Sequence, residues 1–350
     1  MTSVAVLGAG PVGCAAVAYL QERGHRVALW SPTGQRINKT NHGTTEFQVE
    51  GALHKQVSVP WLSDLEAVKD YAHIVICLPA TCYEMVLNQL VPVLRDGQII
   101  LISGALSLVG VWLAHQSKVD IAVGSWNTTP TTAHFLAQGR VHVNALRAKV
   151  GLSSARAEHK GQLTAASAAL FDCQFEWDEH PVKNLLRNIN PIAHAAEVIP
   201  NLTRINLGEA WPLFGCFDEV VERIAEVLDD ERLSIAQAMG FSIPSLAEHY
   251  HRSYHVPLGP LHEMTTAIDE AGFGPLGPQQ LAHRYVLEDM PFGLAVQERI
   301  AQRLGLNCTL HTTCLTLLET VYQRSLRDNY LLAAVFDNDE LWDALNRAAS

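Results

Sequence analysis

The stretch NINPIAHAAEV (188–198) sets a histidine inside a run that otherwise reads as a buried helix. A histidine so placed is more often a satisfied core residue than a catalyst. Yet an imidazole that titrates near neutrality is suited to giving and taking protons. Asn190 followed by Pro191 predicts a helix start: the amide caps the first turn, and proline at the first helical position gives up an N–H that has no partner there. His194 then falls one turn in. Two carboxylates are candidates to hold it. Glu197, at i+3, would make a purely structural pair on the same helix face. Asp289 stands where Asp289-Met290-Pro291 breaks a helical segment, because proline drives the preceding residue out of helical geometry; a remote carboxylate there would orient the imidazole and favour its charged form. The competing role for Asp289 is a cap on the PFGLAVQERI helix. Arg284, five residues earlier, carries a planar fork suited to a substrate carboxylate, or else pairs with Glu288 at i+4.

A second constellation lies at the N-terminus. VAVLGAGPVGCAAVAYLQERGHRVALWS (4–31) reads as strand, glycine turn, helix and strand. Gly8 makes the turn, Gly10 lets the backbone approach a pyrophosphate, and Gly13 lets helix pack on strand. Pro11 and Val12 open the helix whose N–H groups face the phosphates. The flanking strands give the G-x-G-x-x-G spacing its specificity. Where a carboxylate would bind the ribose 2′-OH of NAD, the chain has Ser31-Pro32-Thr33-Gly34-Gln35-Arg36, with Lys39 close behind. Cations without a carboxylate suit a 2′-phosphate, so NADP(H) is expected ahead of NAD(H), with Ser31, Thr33 and Arg36 as its contacts. Pro79 closes a later strand where the nicotinamide ribose would lie.

These residues need a frame. HIVICLPA (73–80), QIILISGA (98–105) and DIAVGSW (120–126) follow at α/β spacing, as continuous apolar runs fit for a parallel sheet covered on both faces. VHVNALRAKVGLSS (141–154) reads as a last pair of strands. From His180 onward strand patterns disappear, and helices are expected over 217–240, on both sides of 289–291, and over 309–326. The fold class expected is therefore α/β plus all-α: an N-terminal Rossmann doubly wound parallel sheet (1–180) followed by a helical domain (181–350), with the active site in the crevice between them. At 350 residues, 48% hydrophobic and 17% charged, the chain can bury two cores. A net charge of −11 argues against nucleic acid or an anionic membrane surface as partner. The seven cysteines form no C-x-x-C pair and read as reduced core thiols. With no apolar run of membrane-spanning length and no leader pattern, a cytoplasmic protein without a metal site is expected.

NINPIAHAAEVIPN (188–201), LDDERLSIAQAMG (228–240) and HRYVLEDMPFGL (283–294), following the glycine motif, resemble the octopine/nopaline (opine) dehydrogenase family over nearly the whole chain. The resemblance implies a Rossmann domain followed by a helical one, and an activity that joins an amino acid amine to an α-keto acid and reduces the resulting imine with NAD(P)H. It implies a catalytic histidine in the Asn-Pro-x-x-His stretch, matching His194, and a catalytic aspartate in the Arg-Tyr-x-x-Glu-Asp stretch, matching Asp289. Arg284 and Asn190 then become candidates for holding substrate. Where family members carry a Glu-Thr pair after the sixth strand, this chain has Gly124-Ser125-Trp126-Asn127-Thr128-Thr129-Pro130. Loss of that glutamate to Ser125 or Trp126 points away from arginine or lysine and toward a neutral or aromatic amine donor.

Two other functions compete. A ketopantoate-reductase-like enzyme would reduce a 2-keto acid to an alcohol and needs a catalytic lysine, for which Lys183 is the stand-in. A non-catalytic NADP-binding sensor would need no histidine–aspartate pair. The oligomeric state is open, with a homodimer through the helical domain as the candidate.

Overall fold

The computed structural model describes residues 1–35, 37–39 and 43–347. Contacts divide the chain into two units, Met1–Leu185 and Leu186–Ser350. The first contains all twelve described strands: β1 (Ser3–Leu7), β2 (Arg26–Trp30), β3 (Asn38–Lys39), β4 (Thr44–Gly51), β5 (Lys55–Pro60), β6 (His73–Ile76), β7 (Ile99–Ile102), β8 (Ala122–Trp126), β9 (Thr131–Ala137), β10 (Arg140–Leu146), β11 (Lys149–Ser153) and β12 (Gln174–Trp177).

Seven of them form one sheet in the order β12-β11-β8-β7-β6-β1-β2. From β2 to β8 every pairing is parallel; β11 joins β8 antiparallel. The chain runs from β1 to β2 on one side and later returns with β6 on the other. The carboxyl ends of β1 and β6 therefore flank a topological switch point, where open α/β sheets bind ligands. The expected Rossmann sheet is present.

The two strands expected over 141–154 are present as β10 and β11, but they do not pair with each other and are not the last, since β12 follows. β10 and β11 enter different sheets. β10 pairs parallel with β4 and antiparallel with β9, while β11 lies between β8 and β12. β3, β4, β5, β9 and β10 make a second, five-stranded sheet that the search for continuous apolar runs passed over. Its strands alternate instead: in β4, Thr45, Phe47 and Val49 are buried while Glu46 and Gln48 are exposed, the signature of a sheet with one covered face. That face lies on the helix Pro11–Glu22, which also packs on β1 and β2. A helix between two sheets needs small side chains all round, and Gly13, Cys14, Ala15, Ala16 and Ala18 are all buried.

In the second unit, the long helix Glu219–Ala238 starts from Asp218, whose carboxylate accepts the N–H groups of Val220 and Val221. Val220 and Val227 on this helix are half exposed. Within the LDDERLSIAQAMG stretch, Arg232 is wholly buried. It donates to Asp229 and to the carbonyls of Leu186 (2.5 Å) and Pro244 (2.7 Å), while Asp229 accepts the Leu246 N–H. That motif holds structure, and removing either member of a buried pair costs about 3–5 kcal/mol.

Two local expectations are corrected. Asn190 is not a cap but the first residue of its helix, Asn190–Val198; the side-chain oxygen of Asn188 instead accepts the Asn190 N–H at 3.1 Å. Pro191 at the second helical position needs no partner. Nor does Pro291 break the chain at Asp289. A π turn, Met290–Leu294, absorbs the proline and runs directly into the helix Ala295–Arg303, and Asp289 keeps right-handed helical angles with no capping hydrogen bond. A π turn spaces its hydrogen bonds one residue wider, which removes the clash proline makes with the preceding turn. The helix at Thr309–Tyr322 ends four residues earlier than expected, where Gln323 turns left-handed (φ 50°). No helix among the described residues is long and apolar enough to cross a membrane.

Candidate active site

The switch point of the first unit opens into a cleft lined by three loops, residues 8–11, 31–35 and 77–79, with Cys82 and Phe135. Backbone bonds hold the loops together: Gly8 N–H donates to Trp30 O and Cys77 N–H to Leu7 O, both at 2.7 Å. Two of the three motif glycines are fixed by packing. A Cβ on Gly8, whose φ is +122°, would stand 2.2 Å from Cys77 O; one on Gly13 would stand 1.8 Å from Gly8 O. Gly10 differs. A Cβ there would meet no protein atom within 4 Å, so the middle glycine borders open space at the start of the helix Pro11–Glu22. That is the shape a pyrophosphate needs, and a dinucleotide fits this cradle.

Gly8, Gly10, Pro11, Ser31, Thr33 and Pro79 all line the cleft; Val12 and Gly13 do not. Ser31 Oγ accepts the Gly34 N–H at 3.3 Å, tightening the turn after β2. Arg36 lies outside the described residues. Phe135, reaching the cleft from β9, was missed; the alternation in TTAHFLA was its signal. Burial pushes the Cys77 thiol up to about 12, so it sits beside the cleft as an inert neighbour.

The second unit brings His194 and Asp289 together across 95 positions, with Nδ1 2.8 Å from Oδ2. Asp289 is buried, and its Oδ1 has no hydrogen-bond partner among the described residues. The helix Asn190–Val198 packs against the short helix Arg284–Leu287 and the π turn. Their approach is close at one point: a Cβ on Gly293 would stand 2.3 Å from the Pro191 ring. Tyr285 lies flat on the imidazole of His194, ring centroids 3.5 Å apart and planes 13° from parallel. His283 meets the edge of Tyr285 at 4.5 Å; its own burial, then the nearby His194 and Arg284, hold its pKa below the ordinary value. The arrangement leaves Nε2 of His194 as the nitrogen that can exchange a proton.

Glu197 makes no pair with His194. It is 2% exposed, its Oε2 has no hydrogen-bond partner among the described residues, and burial pushes its carboxyl well above the usual carboxylate range. Arg284 donates from Nε to Glu288 at 3.1 Å, the i+4 pair foreseen as its alternative. Trp126 belongs to the core: fully buried, it donates to Ser167 Oγ and meets the Phe171 ring edge-on, so it cannot face a substrate. Lys183 is tied to Glu179 at 2.7 Å. Glu231, Cys308 and His311 bring potential metal donors within 4.8 Å of one another. Both ring nitrogens of His311 already face partners, Glu231 and Gln297, and Glu231 also accepts the N–H groups of Leu310 and His311. This group caps the helix Thr309–Tyr322.

Two family models match the chain. Residues 177–322 match the family model described as NAD/NADP octopine/nopaline dehydrogenase, alpha-helical domain. Residues 4–150 match Ketopantoate reductase PanE/ApbA. An opine dehydrogenase of Arthrobacter sp. (strain 1C) is 25% identical over 334 residues, 92% of this chain and 91% of the relative. The chain is thus similar to opine dehydrogenases along most of its length. The Protein ocs of Agrobacterium vitis is 24% identical over 87% of each chain. Among solved structures, octopine dehydrogenase with NADH and L-arginine superposes with TM-score 0.74 at 15% identity, covering 100% of this chain and 96% of that one. A ketopantoate reductase from Ralstonia eutropha JMP134 reaches 0.65 at 19%, covering 92% and 98%. The resemblance to octopine/nopaline dehydrogenases and the Rossmann-plus-helical fold read from the sequence are thus both borne out.

Proposed function

We propose that this opine dehydrogenase-like chain catalyses the NADPH-dependent joining of an amino acid amine to an α-keto acid, giving an N-(carboxyalkyl) amino acid. The hydrogen-bonded pair of His194 and Asp289 carries the reading. Structures of related octopine dehydrogenases contain NADH with L-arginine, agmatine or pyruvate, and yersinopine dehydrogenase has been solved with NADP+. An amine, a keto acid and a nicotinamide cofactor are the three reactants this chemistry requires.

In the first step the amine nitrogen bonds to the keto carbon, and loss of water from the carbinolamine leaves an imine. His194 takes a proton from the amine at Nε2 and returns one to the departing hydroxyl. Asp289 accepts the hydrogen bond from Nδ1, which fixes the ring's tautomer and orientation. The imine nitrogen keeps its remaining proton as an iminium, so the neutral secondary amine forms directly on transfer of the hydride that NADPH would supply when bound. The glycine cradle would hold its pyrophosphate and position it, and Ser31, Thr33 and Arg36 its 2′-phosphate, since no carboxylate stands at residues 31–35. The terminal nitrogens of Arg284 would grip a substrate carboxylate. Asn190, the first residue of the His194 helix, would also contact substrate. Ser125, where the family's glutamate is missing, favours a neutral or aromatic amine donor.

The test is NADPH oxidation by the purified protein across a matrix of α-keto acids and amino acids. Oxidation that requires both partners is the expected result; oxidation with a keto acid alone would instead mean carbonyl reduction of the ketopantoate reductase type. His194→Ala should lower turnover about 100-fold or more while the dissociation constant for NADPH stays within a factor of about two. Wild-type turnover in that variant would remove the acid–base assignment.

A further inference from the structure

We infer that Tyr285 is a positioning residue for the proton-transferring imidazole, gripping His194 by its face while Asp289 grips it by its edge. The inference rests on the proposed acid–base role of His194, and it starts from spacing. Tyr285 and Asp289 are four residues apart, with right-handed helical backbone on the way, so their side chains project from one side of one segment. That segment therefore makes two contacts with a single ring. The hydrogen bond from Nδ1 to Oδ2 at 2.8 Å fixes one atom. A ring held at one atom can still tilt about that bond, and tilting swings Nε2, on the opposite side of the ring, away from its target. The flat contact at 3.5 Å and 13° removes the tilt.

Tyr285 is itself held. His283 stands edge-on to it at 4.5 Å and 89°, and accepts the Tyr285 N–H at 3.4 Å. The edge of a neighbouring ring against an aromatic face is a favourable arrangement. Kept neutral by burial, His283 steadies the tyrosine without setting a second cation beside His194. The stack has an electrostatic consequence as well. The electron-rich face of the phenol lies against the ring that carries positive charge once His194 has taken a proton from the amine, a contact of cation–π type. Both effects belong to the aromatic face and neither to the hydroxyl.

Tyr285→Phe and Tyr285→Leu separate these contributions, read by steady-state kinetics with the best substrate pair and by NMR of the histidine ring protons in the substrate-free protein. His194→Ala identifies the His194 signals. A ring proton lying over an aromatic face is displaced upfield. The displacement should persist in Tyr285→Phe and vanish in Tyr285→Leu. Turnover number should follow it, falling about 10- to 100-fold in the leucine variant and returning to near wild type in the phenylalanine variant, with NADPH binding unchanged in both. A leucine variant that keeps wild-type turnover overturns the inference, as does a phenylalanine variant as impaired as the leucine one. If instead His194→Ala itself retains full activity, the acid–base reading falls and the role of Tyr285 falls with it.

Discussion

The glycine cradle and the histidine–aspartate pair are built on opposite plans. The first is backbone geometry within six consecutive residues, where two missing side chains let strand, turn and helix close on one another. The second is two side chains 95 positions apart, aligned by the packing of a helix against a π turn. A backbone site is therefore specified locally and broken by adding atoms. A side-chain site is specified by tertiary packing and broken by changing chemistry at nearly constant volume.

That contrast can be tested from both sides. Gly13→Val forces a branched side chain where even a Cβ would overlap Gly8 O. The expected result is the largest effect, no measurable NADPH binding by calorimetry and a broadened thermal transition. A variant that binds NADPH normally would show that the helix can retreat from the turn. Asp289→Asn keeps the volume and exchanges a charge-assisted hydrogen bond for a neutral one. Turnover should fall about 100-fold or more, with NADPH affinity and melting temperature close to wild type. Equal loss of affinity and turnover would mean that the two sites are not separable as described.

The smallest effect is expected at Glu197. Its carboxyl is held protonated in the fold, whereas the unfolded chain ionises it above about pH 4.5. A folded pKa above the unfolded one means that the native state binds the extra proton, so this group's contribution declines as pH rises from the unfolded value toward the folded one. Glu197→Gln removes that decline. Its melting temperature, relative to wild type, should be higher at pH 8 than at pH 5; a difference independent of pH would show that Glu197 is already ionised in the fold.

The contrast also explains what could be read from the sequence. Gly8, Gly10 and Gly13 declare themselves by spacing, because the strand, the turn and the helix that use them are contiguous. The parallel sheet is legible in its long apolar runs. The second sheet was hidden because β4 and β5 alternate buried and exposed residues and so lack the continuous apolar runs of the parallel sheet. His194 could be singled out from composition, since an imidazole in an apolar helix is conspicuous. Its partner was found through family resemblance, and the local reason given for Asp289, a break at proline, was wrong: helical backbone carries the side chain inward instead. The stack of Tyr285 on His194 had no signature, because nothing in the spacing of residues 283–289 says which helix they will meet.

The π turn over Met290–Leu294 has a consequence for what changes this chain can absorb. An α-helix advances about 100° per residue, and a π turn holds one residue more than regular winding would use. Deleting one residue here would restore ordinary winding and rotate one flank about 100° against the other. Asp289 and the buried face of Ala295–Arg303 could not then both keep their places. Length is thus constrained more strictly than identity along this turn, Gly293 excepted. A one-residue deletion in this segment would separate Asp289 from His194 even with every neighbouring side chain kept.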